Sequence, residues 1–176
     1  MSSSSQPFVF RDAPRAADPG AVRAIVSSTG FFRESEVAIA VELIEERLSQ
    51  GLASEYHFMF ADAAPGTTVG YTCFGPIPGA EGSVDLYWIA VHAAQQGRGL
   101  GRALLAQTER RIAAGVPDAH GAVVRGRRIY IETAGQRRYE PTRAFYTSCG
   151  YREEARLVDF YAPGDDKLIY VKALPR

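Results

Sequence analysis

Apolar positions recur along the chain with two periods. Between Glu34 and Gln50, Val37, Val41, Ile44 and Leu48 are spaced by four, three and four residues, which predicts one face of an amphipathic helix that Gly51 ends. The segment from Gly99 to about Ala114 repeats the helical pattern, with Leu100, Ala103, Leu104 and Ile112 expected to turn inward. Asp18 followed by Pro19 reads as an N-cap and a first helical position, opening a helix to about Ser28. Pro141 to Cys149 reads as a short helix closed by Gly150. Aromatic and β-branched runs predict strands at Phe8–Arg11, Tyr56–Ala61, Thr67–Phe74, Ser83–Val91, Arg127–Thr133, Tyr151–Tyr161 and Lys167–Ala173. Turn formers in Asp62–Gly66 join the second and third of these as a hairpin, and Gly75–Gly82 and Gly115–Gly126 are loops.

This order (strand, two helices, three strands, helix, strand, helix, two strands) predicts an α/β, more narrowly α+β, fold. Its sheet is mixed, largely antiparallel and six- or seven-stranded, flanked by about four helices. With 176 residues, 46% of them apolar, one domain over 8–174 is expected behind a disordered polar N-terminus at 1–7.

Charge narrows the partners. Twenty basic and twenty acidic side chains cancel, so no global field draws a nucleic acid or an anionic membrane, and an anion must be bound locally. Arginines bunch at Arg125, Arg127, Arg128, Arg137 and Arg138, as a phosphate-contacting rim or as solvated loop charge. Cys73 and Cys149 imply no disulfide framework and fit a reducing cytoplasm. Met1–Gln6 is not an export signal, and 18 apolar residues never follow one another, so neither export nor a membrane span is expected. His57, His92 and His120 lack metal-ligand spacing and Cys149 has no histidine beside it in sequence, so neither metal nor cysteine-nucleophile chemistry is expected.

The most specific feature is Gln96, Gly97, Arg98, Gly99, Leu100 and Gly101 between a hydrophobic strand and an amphipathic helix. A helix start leaves N–H groups without internal partners, and glycines let a phosphate approach them. Arg102 and Ala103 follow Gly101 where a P-loop needs Lys and Ser or Thr, and the position is wrong for a Rossmann fingerprint. The segment instead matches the Q-x-x-G-x-G signature of the GNAT superfamily, preceded by Leu86–Val91 and followed by Arg102–Leu105. Downstream, Arg143, Ala144, Phe145 and Tyr146, then Cys149, Gly150 and Tyr151, resemble the family's A-x-x-F-Y-x-x-x-G-F segment with one spacing shortened. Tyr139 departs from the pattern, since an asparagine often stands there.

The resemblance implies an acyl-CoA-dependent N-acetyltransferase with acetyl-CoA as cosubstrate and splayed central strands that admit the pantetheine arm. Ile89, Ala90 and Val91 would give it backbone contacts, and Val91 N–H would face the thioester carbonyl. The amides of Gly97, Arg98, Gly99, Leu100, Gly101 and Arg102 would hold the pyrophosphate, with Arg98 and Arg102 adding charge and Gln96 ordering the turn. Tyr146 would protonate the departing thiolate, which a phenol of pKa about 10 can do. Asp85, eleven residues before Gln96, is the first candidate base, placed by strand alternation on one face with Tyr87, Ile89 and Val91; Glu132 is the second.

Acceptor pockets of this superfamily lie among the first two helices, the third strand and the last strands. Phe31, Phe32, Tyr71, Phe74, Tyr87, Tyr139, Phe160 and Tyr161 are the candidate walls, or core aromatics. The run from Asp159 to Lys167 sets acid beside aromatic rings and suits a small cationic amine, or is a solvated hairpin. A small-molecule or amino-acid-like amine is the expected acceptor. A protein or peptide acceptor, another acyl group and a CoA-binding regulatory module without turnover are the alternatives, and a family-like homodimer fits the same scaffold.

Overall fold

The computed structural model describes residues 8–64 and 66–175; the N-terminus expected to be disordered at 1–7 and Pro65 of the predicted hairpin turn lie outside them. The chain begins with β1 (Val9–Arg11), α1 (Asp18–Ser28) and α2 (Glu34–Gln50). β2 (His57–Ala64), β3 (Thr67–Pro76) and β4 (Ser83–Val91) follow as an antiparallel meander, the arrangement that short connections impose, and β1 pairs on the outer side of β2. α3 (Leu100–Ala114) and a small hairpin of β5 (Val116–Pro117) and β6 (Val123–Val124) carry the chain over to β7 (Arg128–Ala134), which therefore runs parallel to β4. After α4 (Glu140–Ser148), β8 (Arg152–Ala162) and β9 (Asp165–Ala173) close the sheet in the order β1-β2-β3-β4-β7-β9-β8. The fold is thus the expected mixed, largely antiparallel sheet, with four α-helices among the described residues.

The two sheet faces are buried by different helices. Val22, Ile25 and Val26 of α1 and Val37, Ala40, Val41 and Ile44 of α2 pack on Phe58, Phe60, Tyr71, Cys73 and Ala90. On the other face, Leu100, Leu104, Leu105 and Ile112 of α3 and Tyr146 of α4 pack with Val84, Leu86, Val91, Ile129 and Ile131. Each buried large aliphatic side chain contributes about 1.5–3 kcal/mol relative to exposure. Two expected inward positions are exposed. The α2 stripe ends at Ile44, leaving Leu48 40% exposed, and the α3 stripe runs through Leu105 and Thr108, leaving Ala103 on its outer side. β8 is an edge strand exposed along nearly its whole length, and its register with β9 breaks between Leu157 and Ala162, around Asp159 at φ +54.

Asp18 is not the N-cap that its position before Pro19 suggests; Ala17 is. The reason is a stronger partner. Arg11 donates to Asp18 Oδ1 at 2.6 Å and Oδ2 at 2.9 Å, and also to Asp62 Oδ2 at 3.0 Å and Thr68 Oγ1 at 2.8 Å, tying β1, α1, β2 and β3 together. Burial pushes the Asp62 carboxyl up, but hydrogen bonds from Arg11 and Thr68 and the charges of Arg11 and Arg15 outweigh it and hold the group below its usual value. A carboxyl depressed in the folded state stabilises the fold above its unfolded pKa, about 3.9, and that stability fades as pH falls through the lower folded value. Arg11→Met leaves the buried Asp18 without its guanidinium partner and Asp62 with Arg15 and Thr68 only, and is expected to cost about 3–5 kcal/mol at pH 7. Chemical denaturation at pH 7 and pH 3 checks it: the deficit should narrow at the acid pH, where carboxylates protonate and the loss of a guanidinium partner matters less.

Candidate active site

β4 and β7 pair only at Ser83–Arg128, Val84–Ile129 and Asp85–Tyr130, whereas β7 stays paired with β9 from Arg128–Ala173 to Ala134–Lys167. Beyond Asp85 the two strands part, and a cavity of about 1070 Å³ fills the gap. The parting coincides with a β-bulge. Phe74 pairs with Leu86 and Cys73 with Trp88, so Tyr87 is an extra residue on β4, and such an insertion bends the strand and raises its twist.

The open side of β4 carries main-chain groups in a fixed alternation. Gly70 lies opposite Val91, and His92 N donates to Val69 O at 2.8 Å, which makes Gly70–Val91 a pair that does not exchange hydrogen bonds. The N–H and C=O of Val91 therefore point away from β3, into the gap, and Ile89, opposite Thr72, follows the same alternation. Gln96 Nε2 donates to Val91 O at 3.0 Å, tying the loop after β4 to the strand end. Gly97 at φ +73 and Gly99 at φ +78 hold that loop in a left-handed conformation that an L side chain adopts only with strain. Gly99 caps α3, so the first amides of the helix, from Leu100 to Arg102, have no acceptor within it and lie on the cavity side of the loop. Leu100 contributes through its backbone, since its side chain is core. Gly101 faces Phe145 at ordinary contact distance.

The two loop arginines differ. Arg102 lines the cavity and donates to Ser148 O and Oγ, each at 2.9 Å, which ties the start of α3 to the end of α4. Arg98 is not a lining residue; it donates to Gln95 Oε1 at 2.6 Å and its guanidinium lies 6.0 Å from the Phe8 ring. Tyr146 lines the cavity, is 6% exposed, and packs among Phe145, Tyr151 and Tyr170. Burial, and secondarily Cys149, pushes its pKa above the ordinary 10, which keeps it a phenol.

The candidate bases are placed differently from the alternation reading. Val84 and Leu86 pack on the α3 face, and after the bulge Ile89 and Val91 do so, while Trp88 and Ala90 pack towards α1 and α2. Asp85 therefore does not share a face with Ile89 and Val91, because the extra residue at Tyr87 reverses the alternation. Asp85 is half-buried where the strands part, and its carboxyl is raised by burial and by the charge of Glu132, against the opposing Lys167. Glu132 lines the cavity and pairs with Lys167 Nζ at 2.5 Å.

Aromatic rings form one wall in a contacting row: Trp88, Phe32, Phe31 and Tyr139, with successive centroids 5.1, 5.3 and 4.8 Å apart. Tyr87 and Tyr161 also line the cavity. Tyr71 and Phe74 do not: both are fully buried core, Tyr71 beneath α1 and α2. Phe160 also stays off the cavity, half-exposed beneath Lys167 Nζ at 4.1 Å. Trp88, Gln136 and Asp165 are lining residues that sequence reasoning did not single out. Asp165 stood within the acidic run, but nothing local marks Gln136.

A family model described as Acetyltransferase (GNAT) domain matches residues 54–153. A Desulfovibrio desulfuricans protein assigned to the GNAT family of acetyltransferases is 43% identical, with a TM-score of 0.87 over 96% of this chain and 100% of that one. The ribosomal-protein-S18-alanine N-acetyltransferase of Escherichia coli (18% identical, TM-score 0.69, 97% and 96% covered) shares the fold. So does the acetyltransferase yncA of Salmonella typhimurium, solved with its cofactor acetyl-CoA (19% identical, TM-score 0.66, 97% and 95% covered). No curated protein matches the chain.

Gln96→Leu removes the donor that ties the glycine loop to Val91 O. It is expected to lower stability by about 1 kcal/mol and to speed amide hydrogen exchange across residues 96–101, with β2 and β3 unaffected. Exchange mass spectrometry on both proteins checks this.

Proposed function

Because the chain belongs to the GNAT acetyltransferase family, we propose that it moves the acetyl group of acetyl-CoA to the primary amine of a small or amino-acid-like acceptor by direct attack, with Tyr146 as general acid. The observation that carries this reading is the main-chain polarity of β4, whose Ile89 and Val91 groups face a cavity rather than a strand. A pantetheine arm has amides that such groups can pair with. The loop after β4 fits a pyrophosphate on the same grounds: left-handed Gly97 and Gly99, open space around both, and unpaired first-turn amides of α3.

Acetyl-CoA supplies the activated carbonyl when bound. Val91 N–H is then the donor to its oxygen, and one preorganised donor at an oxygen gaining charge is worth about 3 kcal/mol. The acceptor arrives as an ammonium with a pKa of about 10.4, so only about one molecule in 10³ is neutral at pH 7 and a proton must be removed. Asp85, set behind the cavity wall and acting through water, is the first candidate for that role, and Glu132, on the wall itself, is the second. Tyr146 returns a proton to the departing sulfur. The row from Trp88 to Tyr139 covers the carbon chain of the acceptor and excludes water.

Acetyl-CoA offered with amines, amino acids and peptides, with thiol release followed, tests the reading. Acceptor-dependent release is expected with small amines; release with peptides alone would sink the small-acceptor reading, and acetyl-CoA binding with no release would sink the enzymatic one. Tyr146→Phe should lower kcat about 100-fold or more while acetyl-CoA binds as before. Asp85→Asn and Glu132→Gln should each lower kcat/KM at pH 7. That deficit should shrink as pH approaches 10, where the amine deprotonates unaided; a pH profile of the three proteins checks the sign.

A further inference from the structure

The turn between β8 and β9 holds a carboxylate that the packing of the fold does not use up. Asp165 opens β9, lines the cavity and is only 7% exposed. Its Oδ2 accepts Gln136 Nε2 at 2.5 Å, while its Oδ1 is buried with no hydrogen-bond partner among the described residues. Buried carboxylate oxygens are almost always satisfied, so an orphan at a cavity wall marks a place where a donor arrives from outside the fold. The nearby cation does not serve it: Lys167 is paired with Glu132 and seated over Phe160.

The carboxylate is also held still. Asp165 pairs with Ala162 across a turn closed by Gly164 at φ +78, and Gly135 N donates to Asp166 O at 2.8 Å, locking the start of β9 to the end of β7. Gln136 is fixed in turn, because Arg143 Nη1 donates at 2.9 Å to both Gln136 O and Ala134 O. The same cavity is lined by the rings of Tyr139 and Tyr161 and by a second carboxylate, Glu132, and the Tyr161 phenol is raised by burial and then by the charges of Glu132 and Asp165. Anion and ring faces together select a cation with an alkyl stem.

We propose that Asp165 is the acceptor's cation anchor: its Oδ1 receives an N–H of an alkylammonium group entering the gap, and Gln136 is the residue that positions it. This deepens the amine-acceptor reading above and rests on it, but it concerns binding alone, so it is testable without turnover.

The experiment measures equilibrium binding of n-butylammonium, and of n-butanol as its uncharged counterpart, to the CoA-saturated protein by NMR titration. Because Gln136 Nε2 requires an oxygen opposite it, Asp165→Asn sets an N–H₂ at the orphan position and replaces acceptor by donor. The variant is expected to bind n-butylammonium about 10- to 100-fold more weakly, with n-butanol and acetyl-CoA affinities within about twofold of the wild type. Gln136→Leu should show a smaller loss, again confined to the cation. Asp165→Ser is measured alongside as a smaller neutral replacement. Equal n-butylammonium affinity in wild type and both Asp165 variants, no binding to the wild type, or an equal loss for the alcohol and the cation would each overturn the assignment. Cation-selective loss in a protein that releases no thiol from acetyl-CoA would support the anchor and sink the acetyl-transfer reading, so the two fail separately.

Discussion

β4 and β7 hydrogen-bond through Ser83, Val84 and Asp85 and then part, and the divergence leaves main-chain groups that no neighbouring strand satisfies. Inside a sheet such groups are costly unless a partner is supplied, so a gap there is stable only if it is wet or filled by something with matching donors and acceptors. The bulge at Tyr87 turns β4 away, while β7 stays paired with β9 along its whole length and opens only its β4-facing edge to the gap. The cavity, the exposed amides of Ile89 and Val91, and the meeting of α3 and α4 at its rim all follow from that departure.

A chain with no net charge thereby builds a polarised cleft. At the glycine loop the positive character is made from backbone amides and the α3 start, with Arg102 committed to Ser148. Across the gap stand Glu132 and Asp165, with Lys167 the only lysine drawn into a pair there among the described residues. The separation arises from peptide dipoles at one end and side chains at the other, which is why the balance of twenty against twenty says nothing of it.

Sequence periodicity identified the strands and helices well where each element buries one face. Ser83–Val91 and Glu34–Gln50 are found at their expected ends. It went wrong where one residue breaks a period. The extra Tyr87 moves Asp85 to the other face, and no local signal separates a bulged strand from a regular one. Tyr71 read as a pocket aromatic because a fully buried strand between two helical layers has the same composition as a pocket wall. The glycine loop was legible because left-handed backbone demands glycine itself. Gln136 was not, since its role exists only once a turn roughly 100 Å of contour away in the chain brings Asp165 beside it.

The main-chain character of the β4 edge has a consequence for how this protein can change over time. Groups supplied by Ile89 and Val91 are common to nearly every amino acid, so substitutions along that strand leave them in place provided that the bulge and the Gln96 tether persist. The side-chain wall, made of Phe31, Tyr139, Tyr161 and Asp165, enjoys no such immunity, and each exchange there alters the shape and charge of the cavity. On the reading proposed above, descendants of one ancestral gene can therefore diverge in acceptor while keeping the same acyl donor, because the two preferences are written in different parts of the polypeptide: one in its backbone, the other in its side chains.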